Sequence, residues 1–196
     1  GTTVKPGIYK VDLEFNGNTS STTIKVENDP RLKISQKAID EGYDASKELE
    51  AMRQRAADAV KQLVESKNTA NELSKMLKDD DSKKYKEEID LSKKITKKID
   101  SIIAIYIGKE DKRQGITRNP ETTVMQRLGS AGWYSGSRPN GMTNTETLLM
   151  KHAKDALNDA LIQTNNFFEN EWKTYKTRLE KAKVSPFKEL KKFSLD

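Results

Sequence analysis

Cysteine is absent from the 196 residues, so disulfides, thiolate ligands and a thiol nucleophile are all excluded. Histidine occurs once, as His152, and a lone imidazole cannot build the multi-ligand sites that hold zinc. Its position inside a helical pattern marks it as a helix-surface or partly packed residue. Apolar residues are scarce at 34%, and no run approaches the roughly 20 that cross a membrane. Gly1 to Lys10 lacks the apolar stretch and cleavage pattern of a signal peptide. Gly1 in place of methionine reads as a boundary or cleavage point, with room for a signal sequence upstream. Walker, Rossmann and zincin spacings are missing, and no elbow motif frames a serine. Glu169 and Glu171 beside Trp172 are the nearest approach to a carboxylate pair. Acids two apart on a helix diverge, so they read as surface residues. No catalytic residue, metal or cofactor is expected on this chain.

What is abundant is charge. Charged residues make up 34% of the chain, and 36 basic against 30 acidic side chains leave a net charge of +6. Both signs are interspersed, which suits amphipathic helices with wide solvated faces. The densest basic run, Lys93, Lys94, Lys97 and Lys98, pairs its members on one helix surface but carries no interleaved aromatics. It reads first as a solvated helix face and second as a polyanion or membrane contact, and nucleic acid is not an expected partner.

Pro6 to Glu27 predicts a β-hairpin. Tyr9, Val11, Leu13 and Phe15 alternate with Lys10, Asp12 and Glu14, the two-residue period of a half-buried strand. Asn16-Gly17 tolerates the positive φ angles of a tight turn, and Thr22, Ile24 and Val26 return as the second strand. A lone hairpin is marginal in water. Either it packs on the helices, or its companion strands are missing and it closes a sandwich domain. Residues 1–30 therefore form one region, and 31–196 a second, helical one.

Beyond Asp29-Pro30 the period becomes helical, with Ser35 as N-cap. Leu49, Ala56, Leu63, Ala70 and Leu77 fall seven apart, and Met52, Ala59 and Leu73 lie three later, which makes a heptad seam. Asp79, Asp80, Asp81 and Ser82 break the helix. The triplet lacks the alternating ligands and closing glutamate of a calcium loop, so it reads as a solvated turn. A second helix follows from about Lys83 to Ile107, with the stripe Tyr85, Ile89, Ser92, Ile95, Ile99, Ile102 and Tyr106.

Gly108 to Gly141 loses periodicity, giving a Gly-rich loop across 108–142 with a short helix at Thr122 to Leu128. Thr143 and Glu146 form a capping box, opening a third long helix that runs to about Lys183. Its expected stripe is Met150, Ala153, Leu157, Leu161, Phe168, Trp172, Tyr175 and Leu179, and Ser185-Pro186-Phe187 ends it. The fold class is mainly α: an antiparallel bundle of three long helices, plus a short fourth, with an N-terminal β-hairpin. Within the loop, Trp133 reads first as a plug for the bundle end. The second reading makes Trp133, Tyr134 and Arg138, set among flexible glycines, a binding surface for a sugar, a peptide or a neighbouring domain.

Pro6-Gly7-Ile8-Tyr9-Lys10-Val11, the Asn16-Gly17 turn, Ile24-Lys25-Val26 and Asp29-Pro30-Arg31 together resemble a passage in large bacterial exported proteins with sortilin-like, Asp-box (BNR) β-propellers, often labelled glycosyl hydrolase-like. Met125-Gln126-Arg127-Leu128-Gly129 and Val184-Ser185-Pro186-Phe187 resemble that family's C-terminal tail. The resemblance implies a propeller, then an immunoglobulin-like sandwich whose last hairpin opens this chain, then a helical tail. It implies export to the periplasm, cell surface or medium, and partners among the upstream propeller and sandwich or another protein. No Ser-x-Asp-x-Gly-x-x-Trp repeat stands in this sequence, so a hydrolase label earned by propellers does not travel to these residues. The expected function is a non-catalytic structural and interaction module. The alternatives are a carbohydrate- or peptide-binding appendage, or an accessory part of a glycoside hydrolase whose catalytic residues lie outside the chain.

Overall fold

The computed structural model describes residues 2–109, 122–137 and 140–182. Two strands, β1 (Gly7–Phe15) and β2 (Asn18–Val26), precede helices α1 (Gln36–Asp81), α2 (Lys86–Ile107), α3 (Val124–Gly136) and α4 (Asn144–Phe167). A single π-helical turn, Phe168–Trp172, then leads into α5 (Lys173–Lys181). The chain divides into two compact units. One holds Gly1–Arg55 with Val124–Ala156, the other Ala56–Thr123 with Leu157–Asp196. The division runs across α1 and α4.

In the first unit β1 and β2 pair antiparallel with Tyr9 opposite Ile24 and Phe15 opposite Asn18. Asn16 and Gly17 both take positive φ, 48° and 77°, as a two-residue hairpin turn demands. Ser35 caps α1 as expected, its Oγ accepting from the Ala38 amide at 3.2 Å. Ala38, Ala45, Leu49 and Met52 are buried along the first half of α1. Glu146, itself buried, accepts from both the amide and the hydroxyl of Thr143, so the carboxylate half of the expected capping box forms at the start of α4. Two contacts, Met142 N to Glu41 at 3.3 Å and Lys154 to Glu48 at 2.8 Å, set α4 parallel to α1 here.

The Gly-rich stretch departs from its reading as a loop. The short helix expected at Thr122 to Leu128 begins at Val124 and continues through Gly129 and Gly132 to Gly136. Glycine lowers helix stability by about 1 kcal/mol per site. Here Val124, Leu128 and Ala131 recur at helical spacing and are all buried, which outweighs it. Gly132 lies against the guanidinium of Arg53, which donates to the Leu128 carbonyl at 3.3 Å.

The second unit is a three-helix up-down-up bundle. Leu63, Ala70 and Leu77 of the predicted seam are wholly buried and Ala59 is buried, but Leu73 is only half-buried, and Ser66 and Ser74 are buried beside the seam instead. Asp81 stops α1 and turns the chain, its Oδ1 accepting the amides of Lys83 and Lys84, both at 3.0 Å. Those backbone hydrogen bonds hold its carboxyl below the usual carboxylate value. Every member of the predicted α2 stripe, from Tyr85 to Tyr106, is buried. Two buried hydroxyl pairs, Tyr106 with Thr164 at 2.8 Å and Ser92 with Tyr175 at 3.0 Å, tie α2 antiparallel to α4 and α5.

The third long helix requires a correction. Its buried residues are Met150, Ala153, Leu157, Ala160, Thr164 and Phe167, then Tyr175 and Leu179, while Leu161, Phe168 and Trp172 are only half-buried. The spacing alternates three and four up to Phe167 and then needs eight residues, not seven, to reach Tyr175. In a continuous α-helix that extra residue would rotate Tyr175 and Leu179 off the buried face. The π turn absorbs it. The expected end at Ser185-Pro186-Phe187 lies outside the described residues.

Candidate interaction surface

Residues 2–9 tie the hairpin to α1. Lys5 Nζ donates to Asp40 at 2.6 Å and lies 4.5 Å above the Tyr43 ring, while the Tyr9 hydroxyl donates to the Lys5 carbonyl at 2.6 Å. Thr2 Oγ1 adds a bond to Glu50 at 2.9 Å. The hydrogen bond between Lys5 and Asp40 raises the ammonium's pKa and lowers the carboxyl's. A cleft of about 240 Å³ lies at this root, lined by Val4, Lys5, Pro6, Ile39, Tyr43 and Ser135.

Away from the root the hairpin stands uncovered. The pairing register puts Tyr9, Val11, Leu13, Phe15, Ile24 and Val26 on one face and Lys10, Asp12, Glu14 and Lys25 on the other. The apolar face stays in solvent: Val11 is 42% exposed, Leu13 68%, Phe15 79% and Ile24 48%. Tyr9 and Val26, nearest the root, are half-buried, while among the described residues no helix covers the outer part of this face.

The same unit carries the aromatic pair. Trp133 is 69% exposed and Tyr134 41%, with ring centroids 5.1 Å apart edge to face. Trp133 is thus no plug. The buried side of α3 is occupied by Val124, Leu128 and Ala131, and a residue two positions beyond Ala131 points elsewhere on a helix. Arg138, the third predicted member, lies outside the described residues.

The remaining chemical candidates separate. Glu169 and Glu171 are both exposed, and Glu171 faces Lys98 at 4.0 Å. His152 is exposed on α4, and Lys93, Lys94, Lys97 and Lys98 are exposed on α2. Sequence reasoning missed a cleft of about 390 Å³ between α2 and the π turn, floored by Leu91, Ile95 and Tyr175 and rimmed by Lys94 and Lys98. Its walls depend on the one-residue slip at Phe168–Trp172, which was legible only as a change of stripe phase.

No family model, curated protein or solved structure matches the chain.

Proposed function

We propose that this chain is a non-catalytic structural and protein-interaction module at the C-terminus of a larger exported protein, docking through the apolar face of its hairpin. The uncovered face of β1 and β2 carries the reading. Four side chains that favour burial are presented in register on a turn-closed ribbon. Covering them would contribute on the order of 5 kcal/mol before the cost of association. A second sheet packed face to face is the natural cover, since alternate residues of paired strands interdigitate in sandwiches. The motifs that resemble the Asp-box propeller proteins supply the rest of the proposal: a sandwich and propeller upstream, and export.

The test joins the polypeptide encoded upstream of Gly1, produced separately, to this chain and measures association by calorimetry. Binding that Leu13→Lys with Phe15→Lys abolishes is expected. Binding untouched by that pair, or no propeller repeats in the upstream sequence, overturns the corresponding half of the reading. Glycoside hydrolysis by this chain, lost on changing one acid pair, would overturn its non-catalytic half.

The exposed Trp133 and Tyr134 favour one second reading, a carbohydrate- or peptide-binding appendage. Quenching of Trp133 fluorescence by a glycan or peptide panel, in a Trp172→Phe background, supports it. An unchanged spectrum removes it.

A further inference from the structure

The α2–α5 face of the second unit holds two adjoining clefts that share Thr174. One, of about 390 Å³, has the apolar floor of Leu91, Ile95 and Tyr175. The other, of about 650 Å³, is bordered by Lys173, Arg178, Lys181 and Glu88. Contacts of Glu88 with Arg178 at 3.0 Å, Ser92 with Tyr175 at 3.0 Å and Lys98 with Glu171 at 4.0 Å show that α2 and the α5 segment run antiparallel along it. From Glu88 to Lys98 the groove measures about 15 Å at helical rise, the length of about ten residues of a docked helix.

Charge decides what fits. Among the described residues, Lys94, Lys98, Lys173, Arg178 and Lys181 line the two clefts against Glu88 and Glu171. Arg178 is shared between Glu87 and Glu88, and Lys98 faces Glu171, so the excess positive charge among the described lining residues is that of Lys94, Lys173 and Lys181. The groove therefore presents exposed ammonium groups on either side of an apolar floor. A small molecule would want a more enclosed cavity than this open trough.

We propose that the groove is a docking site for an acidic amphipathic helix of a partner protein. One apolar side chain of that helix occupies the floor over Leu91, Ile95 and Tyr175, and its acidic side chains face Lys94, Lys173 and Lys181 and compete with Glu171 for Lys98. This is the helix-in-groove mode of recognition with charge setting the choice of partner. The proposal does not rest on the hairpin reading, because the groove belongs to the other unit.

The test uses the full chain carrying Trp133→Phe, so that Trp172, whose ring centroid lies 5.4 Å from that of Tyr175, reports on the floor. The probe is a labelled peptide of about ten residues with leucines at i, i+3, i+4 and i+7 and glutamates elsewhere. Expected are saturable anisotropy and Trp172 spectral changes, an affinity about tenfold weaker after Lys94→Glu with Lys98→Glu, and a further loss as salt rises. The same weakening is expected after Lys173→Glu with Lys181→Glu. All four lysines are exposed, so unchanged circular dichroism should accompany these losses. Absence of binding, equal binding of a lysine-for-glutamate peptide, or affinity unaffected by both pairs overturns the proposal. Equal binding of a short oligothymidylate points to a general polyanion site, and self-association dispersed by the same substitutions points to a second copy of the chain. Either result overturns it.

Discussion

The hairpin and α2 make an instructive pair, because both announce an apolar face by clean periodicity and only one of them hides it. On α2 the stripe from Tyr85 to Tyr106 is buried, with Ile99 and Tyr106 wholly so. On β1 the alternation of Tyr9, Val11, Leu13 and Phe15 is just as regular, and its last three members are exposed. Periodicity states which side of an element excludes water once something covers it. It does not state what supplies the cover. For α2 the cover comes from α1, α4 and α5 of the same unit. For the hairpin, no described residue buries the outer part of the face.

Deletions should break this comparison most sharply. Removing Lys97 from the middle of α2 rotates Ile99, Ile102 and Tyr106 off their face, and a loss of at least about 3 kcal/mol in urea unfolding is expected. Removing Asn170 from the π turn should change stability by no more than about 1 kcal/mol, because Trp172, Tyr175 and Leu179 then continue the earlier stripe in an uninterrupted α-helix. Equal losses from the two deletions would refute the one-residue slip.

Truncations come next in size. Ile99→Ala, at a fully buried site, should cost about 2–5 kcal/mol. Leu13→Ala, out on the hairpin, should stay within about 0.5 kcal/mol in the isolated chain. A large loss at Leu13 would mean that the apolar face is covered after all.

The smallest effects separate the two regions by pH. Burial raises the pKa of Tyr106 and Tyr175 above the ordinary 10.0, with their bonds to Thr164 and Ser92 acting in the opposite direction. The folded state therefore favours the neutral phenols. The stability they contribute is complete below pH 10.0 and declines as pH rises from there through the folded values. On the hairpin, Asp12 is shifted the other way, chiefly by its hydrogen bond from Ser21 and then by Lys10. Its small contribution is present above the ordinary 3.8 and is lost as pH falls through the lower folded value. Thermal unfolding across pH should show an alkaline limb that Tyr106→Phe with Tyr175→Phe flattens, and an acid limb insensitive to that pair. An alkaline limb unchanged in the double variant would show that the phenols do not carry it.

Much of the architecture was legible because it rests on local patterns. Asn16-Gly17 names its turn, Ser35 and the Thr143–Glu146 pair name two helix starts, and the α2 stripe names its buried face residue by residue. The third long helix was misread where two phases overlap. Leu161 and Phe168 belong to the register of Tyr175, whereas Ala160, Thr164 and Phe167 belong to that of Met150, and the more apolar set was the less buried one. Trp133 misled for a related reason. A large aromatic among glycines looks fit to fill a space, but the buried side of α3 was already assigned to Val124, Leu128 and Ala131.

The amino-acid sequence by itself determined most of the element types and limits, and which residues of α2 and the hairpin share a face, because those follow from backbone propensity and side-chain period. Only the tertiary structure decided which faces find a partner, where the phase slip is taken up, and that Trp133, Tyr134 and the outer hairpin remain in solvent. Burial depends on what arrives from distant parts of the chain, and a local pattern carries no record of that.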